Sequence, residues 1–109
     1  MRPISGVVHH SHVWWAEAPG DKHRPILVLT RERFIGRLNA VIVAPLTTTV
    51  RGIPTEVALD IADGMPRRCA VNFDNVFRIS RARLLERITQ LTPERLDLTC
   101  REYRFVVGC

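Results

Sequence analysis

Arginine dominates the side chains of this 109-residue chain that could do chemistry. Sixteen basic residues stand against eleven acidic ones, a net charge of +5, and Lys22 is the only lysine among them. Guanidinium groups form bidentate, charge-assisted bonds to phosphate oxygens, so such a surface attracts polyanions or an acidic protein partner. Arg31, Arg33, Arg37, Arg51 and Arg78 are candidates for phosphate contacts of this kind. A G+C-rich coding sequence would give the same arginine bias, and charge alone does not separate the two origins. Histidine is the side-chain type that exchanges protons near neutrality, and His23 directly precedes Arg24.

Metal chemistry has little support in the spacing. Cys69, Cys100 and Cys109 are odd in number and contain no C-x-x-C, which fits neither a disulfide framework nor a zinc site. Cys69 and Cys100 read as small core residues in a reduced compartment. His9, His10 and His12 cluster without a Cys or carboxylate at ligand spacing, so they read as part of a solvated tail. No metal and no cofactor is expected.

The elements that must position these groups are mostly short strands. With 46% hydrophobic and 25% charged residues the balance is globular, and the length allows one core. The longest apolar run, Ala40 to Leu46, is interrupted by Pro45 and falls far short of the ~20 residues that span a bilayer. The N-terminus lacks the apolar stretch of a secretory signal. The expectation is an intracellular domain over residues 12–109, preceded by a loosely ordered lead-in, residues 1–11, with no membrane association.

Val13-Trp14-Trp15-Ala16 is β-prone and ends in the turn chemistry of Ala18-Pro19-Gly20-Asp21. Pro25 to Thr30 and Ala40 to Ala44 are apolar runs suited to burial on both faces, the second stopped by Pro45. Arg31 to Arg37 is a charged connector with room for one helical turn. Thr55 to Leu59 alternates, with Val57 and Leu59 on one face and Glu56 and Ala58 on the other. Ala62 to Pro66 is a turn; Cys69 to Phe73, Val76 to Ile79 and Leu85 to Leu91 are further strands. Turns at such intervals predict a small barrel or rolled sheet. Thr92 before Pro93 predicts a helix N-cap, and Leu96, Cys100, Tyr103 and Val107 form one apolar stripe on a helix of ~15 residues.

Four segments in order carry a family resemblance. Val13-Trp14-Trp15-Ala16, a Gly-containing loop and Arg24-Pro25 before an apolar strand resemble the start of the MazF/PemK family of toxin ribonucleases. Pro45-Leu46-Thr47-Thr48-Thr49 is similar to that family's P-x-T segment. Arg51-Gly52-Ile53-Pro54-Thr55-Glu56-Val57 resembles its next turn and strand, and Asn72-Phe73-Asp74-Asn75-Val76 its acidic strand end.

The resemblance implies a mainly β fold: a small SH3-like barrel of the MazF/CcdB type with a C-terminal α-helix. It implies a cytoplasmic homodimer that is the toxin of a type II toxin–antitoxin system and stops translation by cutting single-stranded RNA. The RNA's own 2′-hydroxyl is the nucleophile and no metal is needed. A cognate antitoxin with an acidic C-terminal segment is the implied protein partner. Arg24 matches the family's catalytic arginine and Thr47 its active-site threonine. His23 and Asp74 take the places of groups that move protons or contact RNA in some members. Trp14, Thr48, Thr49, Arg51, Asn72, Asn75 and Arg78 are the implied RNA-binding residues. Trp14 and Trp15 should point to opposite faces, one into the core and the other free to stack a base or join an interface.

Departures from the family pattern leave an alternative open. Asn72 stands where some members carry an arginine, Ser11-His12 replaces Gly and an acidic residue, and the loop from Glu17 to His23 is short. These suit a non-catalytic, CcdB-like barrel that binds a protein target such as DNA gyrase, or a plain RNA-binding barrel.

Overall fold

The chain forms strands β1 (His12–Ala18), β2 (Lys22–Val28), β3 (Ala40–Thr47), β4 (Glu56–Leu59), β5 (Cys69–Asn72), β6 (Phe77–Ser80) and β7 (Leu84–Gln90), with a one-turn helix α1 (Glu32–Ile35) between β2 and β3. The computed structural model describes residues 8–18, 22–92, 94, 95 and 97. All pairings are antiparallel, in the order β4-β5-β3-β2-β1-β7, with β6 added against β3.

β3 is the hub because its two halves serve different partners. Ala40 to Val43 pairs with β6, Val43 to Pro45 with β2, and Leu46 and Thr47 with β5. One strand in two sheets curls the whole into a barrel-like roll, as its turn-rich sequence predicts. Pro45 does not end the strand, contrary to the sequence expectation. It pairs with Ile26 at the point where the other edge of β3 passes from β6 to β5, and a proline's missing N–H is tolerated at such a discontinuity.

Alternation divides the buried side chains into two cores. Val13, Leu27, Ala44 and Leu46 join Val57, Leu59, Met65, Val71 and Phe73 on one side. Trp14, Ala16, Ile26, Val28, Val41 and Val43 join Ile35, Ile79 and Leu84 on the other. Ile26, Leu27 and Val28 are all at most 1% exposed, so the apolar run is covered on both faces. Each such side chain contributes roughly 1.5–3 kcal/mol of burial. The strand itself starts earlier than its apolar run, at Lys22, because pairing with β1 carries Arg24 and His23 into the hairpin.

The solvated reading of the histidine segment holds for His9, which is exposed, and is corrected for His12. Val8 is 3% and His12 1% exposed, so they are packed, not solvated. Ser11, at φ 74°, turns the chain so that its N–H donates to Val28 O (3.1 Å) and its carbonyl accepts from Leu91 N (3.2 Å). His12 Nδ1 accepts from His9 N (3.2 Å) and from Trp14 Nε1 (3.4 Å). The expected helix begins as read: Thr92 Oγ1 accepts from Arg95 N (3.2 Å), and Glu94, Arg95 and Asp97 are helical. Its apolar stripe, Leu96, Cys100, Tyr103 and Val107, lies outside the described residues.

Candidate active site

Antiparallel register brings Arg24 and Thr47 together. Ile26 pairs with Pro45 and Leu27 with Ala44, and the pairing ends there; Arg24, near the start of β2, and Thr47, at the end of β3, each lie two residues further on. Both side chains border two adjoining grooves. The first, about 680 Å³, is lined by Arg24, Pro45, Leu46, Thr47, Thr49, Arg51, Asn72, Asn75 and Phe77. The second, about 560 Å³, is lined by Trp15, Arg24, Pro25, Leu46, Thr47, Thr48, Met65, Pro66, Arg67 and Cys69. Arg24 is exposed and makes no ion pair among the described residues, so its charge is free to meet an anion. No carboxylate lines either groove among the described residues.

Thr47 Oγ1 accepts from Thr49 N (3.1 Å). The bond folds the threonine run back on itself and occupies an acceptor lone pair, leaving the hydroxyl proton to donate outward. Opposite, the first groove is walled by a loop pinned from beneath. Glu56 Oε1 accepts from Arg51 N (2.8 Å) and Gly52 N (3.2 Å), and Glu56 Oε2 accepts from Arg51 Nε (3.0 Å). Gly52 has φ 70°, the left-handed geometry that lets successive N–H groups converge on one carboxylate. Burial pushes the Glu56 carboxyl up, but these three donors and the Arg51 charge outweigh it and hold the group below the usual carboxylate range. With its Nε committed to Glu56, Arg51 still lines the first groove.

Asn72 and Asn75 frame the far end of this groove. Asn72 Oδ1 accepts from Asp74 N (2.8 Å) and caps the turn Phe73–Asn75, which presents Asn75. Among the described residues, no three His, Cys, Asp or Glu side chains are grouped to hold a metal ion.

Arg24, Thr47, Thr49, Arg51, Asn72 and Asn75 are thus gathered in one groove and Thr48 in its neighbour. The remaining candidates are elsewhere. His23, one residue from Arg24 and so on the opposite strand face, lines a shallow hollow with Trp15, Leu85 and Glu86. Asp74 accepts from Thr55 Oγ1 (2.7 Å) and lines neither groove. Arg78 is exposed on β6 beside Ile42. Trp14 is corrected: at 1% exposure it is a core residue whose indole N–H is spent on His12. Alternation allowed either tryptophan to face inward, and it is Trp15 that reaches the groove.

Sequence reasoning missed Glu56, read only as sharing a strand face with Ala58, and Arg67, Met65 and Phe77. Glu56 carried a readable signal, an acidic residue five positions after an arginine with Gly-x-Pro between them. The others reach the site only through the fold.

Residues 10–106 match the PemK-like, MazF-like toxins of type II toxin–antitoxin systems. The chain is 40% identical over 103 residues to a "Probable endoribonuclease MazF2" of Mycobacterium tuberculosis, covering 94% of this chain and 100% of that protein. It is 42% identical over 98 residues to "Probable endoribonuclease MazF5" of the same species, covering 89% and 90% respectively. Among solved structures it resembles the Mycobacterium tuberculosis toxin MazF-mt6 (TM-score 0.78, 35% identity, 86% of this chain and 93% of that one). A mycobacterial endoribonuclease solved in complex with its cognate antitoxin shares the fold (TM-score 0.83, 23% identity, 93% and 95% covered).

Proposed function

The chain belongs to the PemK-like, MazF-like toxins of type II toxin–antitoxin systems, and from that premise we propose that it is an endoribonuclease whose catalytic pair is Arg24 and Thr47. The observation that carries the reading is their shared position: an unpaired guanidinium and an outward-donating hydroxyl at the junction of two grooves without a carboxylate.

The substrate is single-stranded RNA, which brings its own nucleophile. O2′ attacks the adjacent phosphorus, loses its proton and forms the new O–P bond. The P–O5′ bond breaks and the departing oxygen takes up a proton, giving a cyclic phosphate and a 5′-hydroxyl. Negative charge gathers on the non-bridging oxygens in between. Arg24 and Arg51 meet it as fixed cations and Thr47 as a hydroxyl donor. A preorganised donor of this kind accelerates such a step by about 10²–10³. With the nucleophile built into the substrate and the charge met by guanidinium groups, the cleavage is independent of a metal.

The same basic surface suits the acidic segment of a cognate antitoxin, which would order on binding. The protein acts in the cytoplasm as a homodimer, and no helix among the described residues is long and apolar enough to cross a membrane. The deciding experiment is incubation with a long single-stranded RNA in EDTA. Defined cuts bearing 5′-hydroxyl ends, absent in Arg24→Ala, support the assignment; equal cutting by that variant removes Arg24 from the chemistry. Binding to DNA gyrase with no RNA cut would replace the nuclease reading by that of a CcdB-like target binder.

A further inference from the structure

Asp63 closes the turn that leads into the second groove, and its backbone and carboxylate are held at the same time. Its N–H donates to Asp60 O (2.9 Å), and its carbonyl accepts from Thr89 Oγ1 (3.0 Å) on β7. Asp63 Oδ2 accepts from Asp60 N (2.9 Å) and Oδ1 from Arg95 Nε (2.7 Å). Three of these bonds come from the turn itself or from the sheet. The fourth comes from the start of the C-terminal helix.

Arg95 reaches two elements with one planar fork. While Nε holds Asp63, Nη2 donates to Ala58 O (2.6 Å) on β4, the outer strand of its sheet. Its own base is fixed, since Arg95 N donates to Thr92 Oγ1 (3.2 Å) and Leu91 just before the cap is buried. The Asp63 side chain is only 8% exposed, and Arg95 is its one ion-pair partner among the described residues. A carboxylate so placed is costly to leave without its cation. Packing does not take over that role, because Asp63 and Arg95, with Asp60 and Arg68, border an open hollow of about 310 Å³. The guanidinium bridges that space as a strut.

From Asp63 the chain has little freedom. Gly64 follows at φ 91°, where a Cβ would meet Thr89, and its N–H donates to Ile61 O (2.9 Å). Met65 N donates to Asp60 O (3.4 Å), and Met65, Pro66 and Arg67 then wall the second groove beside Arg24 and Thr47. A shift of Asp63 is therefore passed directly to that wall. We propose that Arg95 is a positioning residue: through Asp63 it couples the start of the C-terminal helix to the Met65–Arg67 wall, and so sets how tightly the site holds RNA. The proposal rests on the ribonuclease reading above and adds to it a residue that lines neither groove. Arginine suits the role because lysine, a point charge, cannot hold a carboxylate and a carbonyl in one plane.

The test measures cleavage of a single-stranded RNA by the full-length protein, and binding of the same sequence with 2′-deoxy sugars, which cannot be cut. Arg95→Ala is expected to raise KM and weaken binding by a common factor of about 2- to 30-fold at unchanged kcat. Amide hydrogen exchange should quicken at Gly64 and Met65 and stay as in the wild type along β2 and β3. The slope of log affinity against log salt should be unchanged, whereas loss of a direct phosphate contact lowers it by about 0.7. Asp63→Asn keeps an acceptor for Asp60 N while discharging the pair, and should reproduce these effects. The double variant should then be no weaker than either single one. Arg95→Lys should fall between the wild type and Arg95→Ala. Unchanged KM and binding in Arg95→Ala, with any change confined to the denaturation midpoint, overturn the proposal and leave the nuclease reading intact. A reduced salt slope also overturns it, by making Arg95 a phosphate contact. If the wild type binds RNA without cutting it, and Arg95→Ala weakens that binding at an unchanged slope, the nuclease reading falls and the proposal stands.

Discussion

Arg24 on β2 and Thr47 on β3 each lie two residues beyond Ile26–Pro45, where the pairing of these strands ends, and both border the two grooves of the site. Because the strands set the pair, its geometry does not depend on a mobile loop. Arg24→Ala and Thr47→Val should each lower kcat/KM for RNA cleavage by about 10²–10³. Thr47→Ser, which retains the hydroxyl, should keep most of the rate. Denaturation midpoints should show the loss to be chemical, since replacing the exposed Arg24 shifts stability by no more than about 0.5 kcal/mol.

Glu56 is expected to act on the site through Arg51. A glutamine there offers one acceptor oxygen where two carboxylate oxygens receive three donors, and its NH₂ group opposes one of them. Glu56→Gln should cost about 1–3 kcal/mol in urea denaturation, and RNA affinity should fall with it as the loop over Arg51 and Gly52 loosens. The carboxyl is held below its ordinary value in the fold, so its contribution is complete above the unfolded value of about 4.3. It is lost as pH falls through the lowered folded value, and the glutamine variant should lack that part of the acid transition.

His12 makes stability depend on pH in a higher window. Its Nδ1 receives two N–H donors, so the ring is neutral and must lose those bonds to be protonated there. Burial, His9 and Arg87 depress its protonation, against smaller opposing effects of Gln90 and Glu32. A depressed folded value means full stabilisation above the unfolded value of about 6.5 and progressive loss below it. Urea midpoints should therefore drop between pH 7.5 and pH 5.5. His12→Asn keeps an acceptor near the Nδ1 position without titrating, and should start lower but respond less to this pH change.

Gly64 should tolerate no side chain. At φ 91° it is left-handed, and a Cβ would run into the Thr89 side chain, whose hydroxyl donates to Asp63 O (3.0 Å). Gly64→Ala should destabilise by about 1–3 kcal/mol. By differential scanning calorimetry that corresponds to a melting midpoint lower by roughly 4–8 °C per kcal/mol. Because the turn carries Met65 to Arg67, the same variant should weaken the second groove more than the first.

Much of the architecture was legible because it is local. Apolar runs of strand length, the Gly64 turn and the Thr92 cap act over a few residues, and each maps onto an observed element. The Arg24 and Thr47 pair was legible by family likeness. Pro45 misled because its effect depends on what lies beside it: a missing N–H ends a strand only where a partner needs it, and here β3 is changing partners.

Sequence by itself determined the β-rich class, the positive charge and which residue types stood near the strand ends, since periodicity and composition act within a segment. Only the tertiary structure decided which tryptophan is buried, that Glu56 lies beneath the Arg51 loop, that His23 and Asp74 line neither groove, and that Arg67 lines the second. Each of those outcomes turns on pairing between segments distant in the chain, where a single residue of register exchanges core for surface.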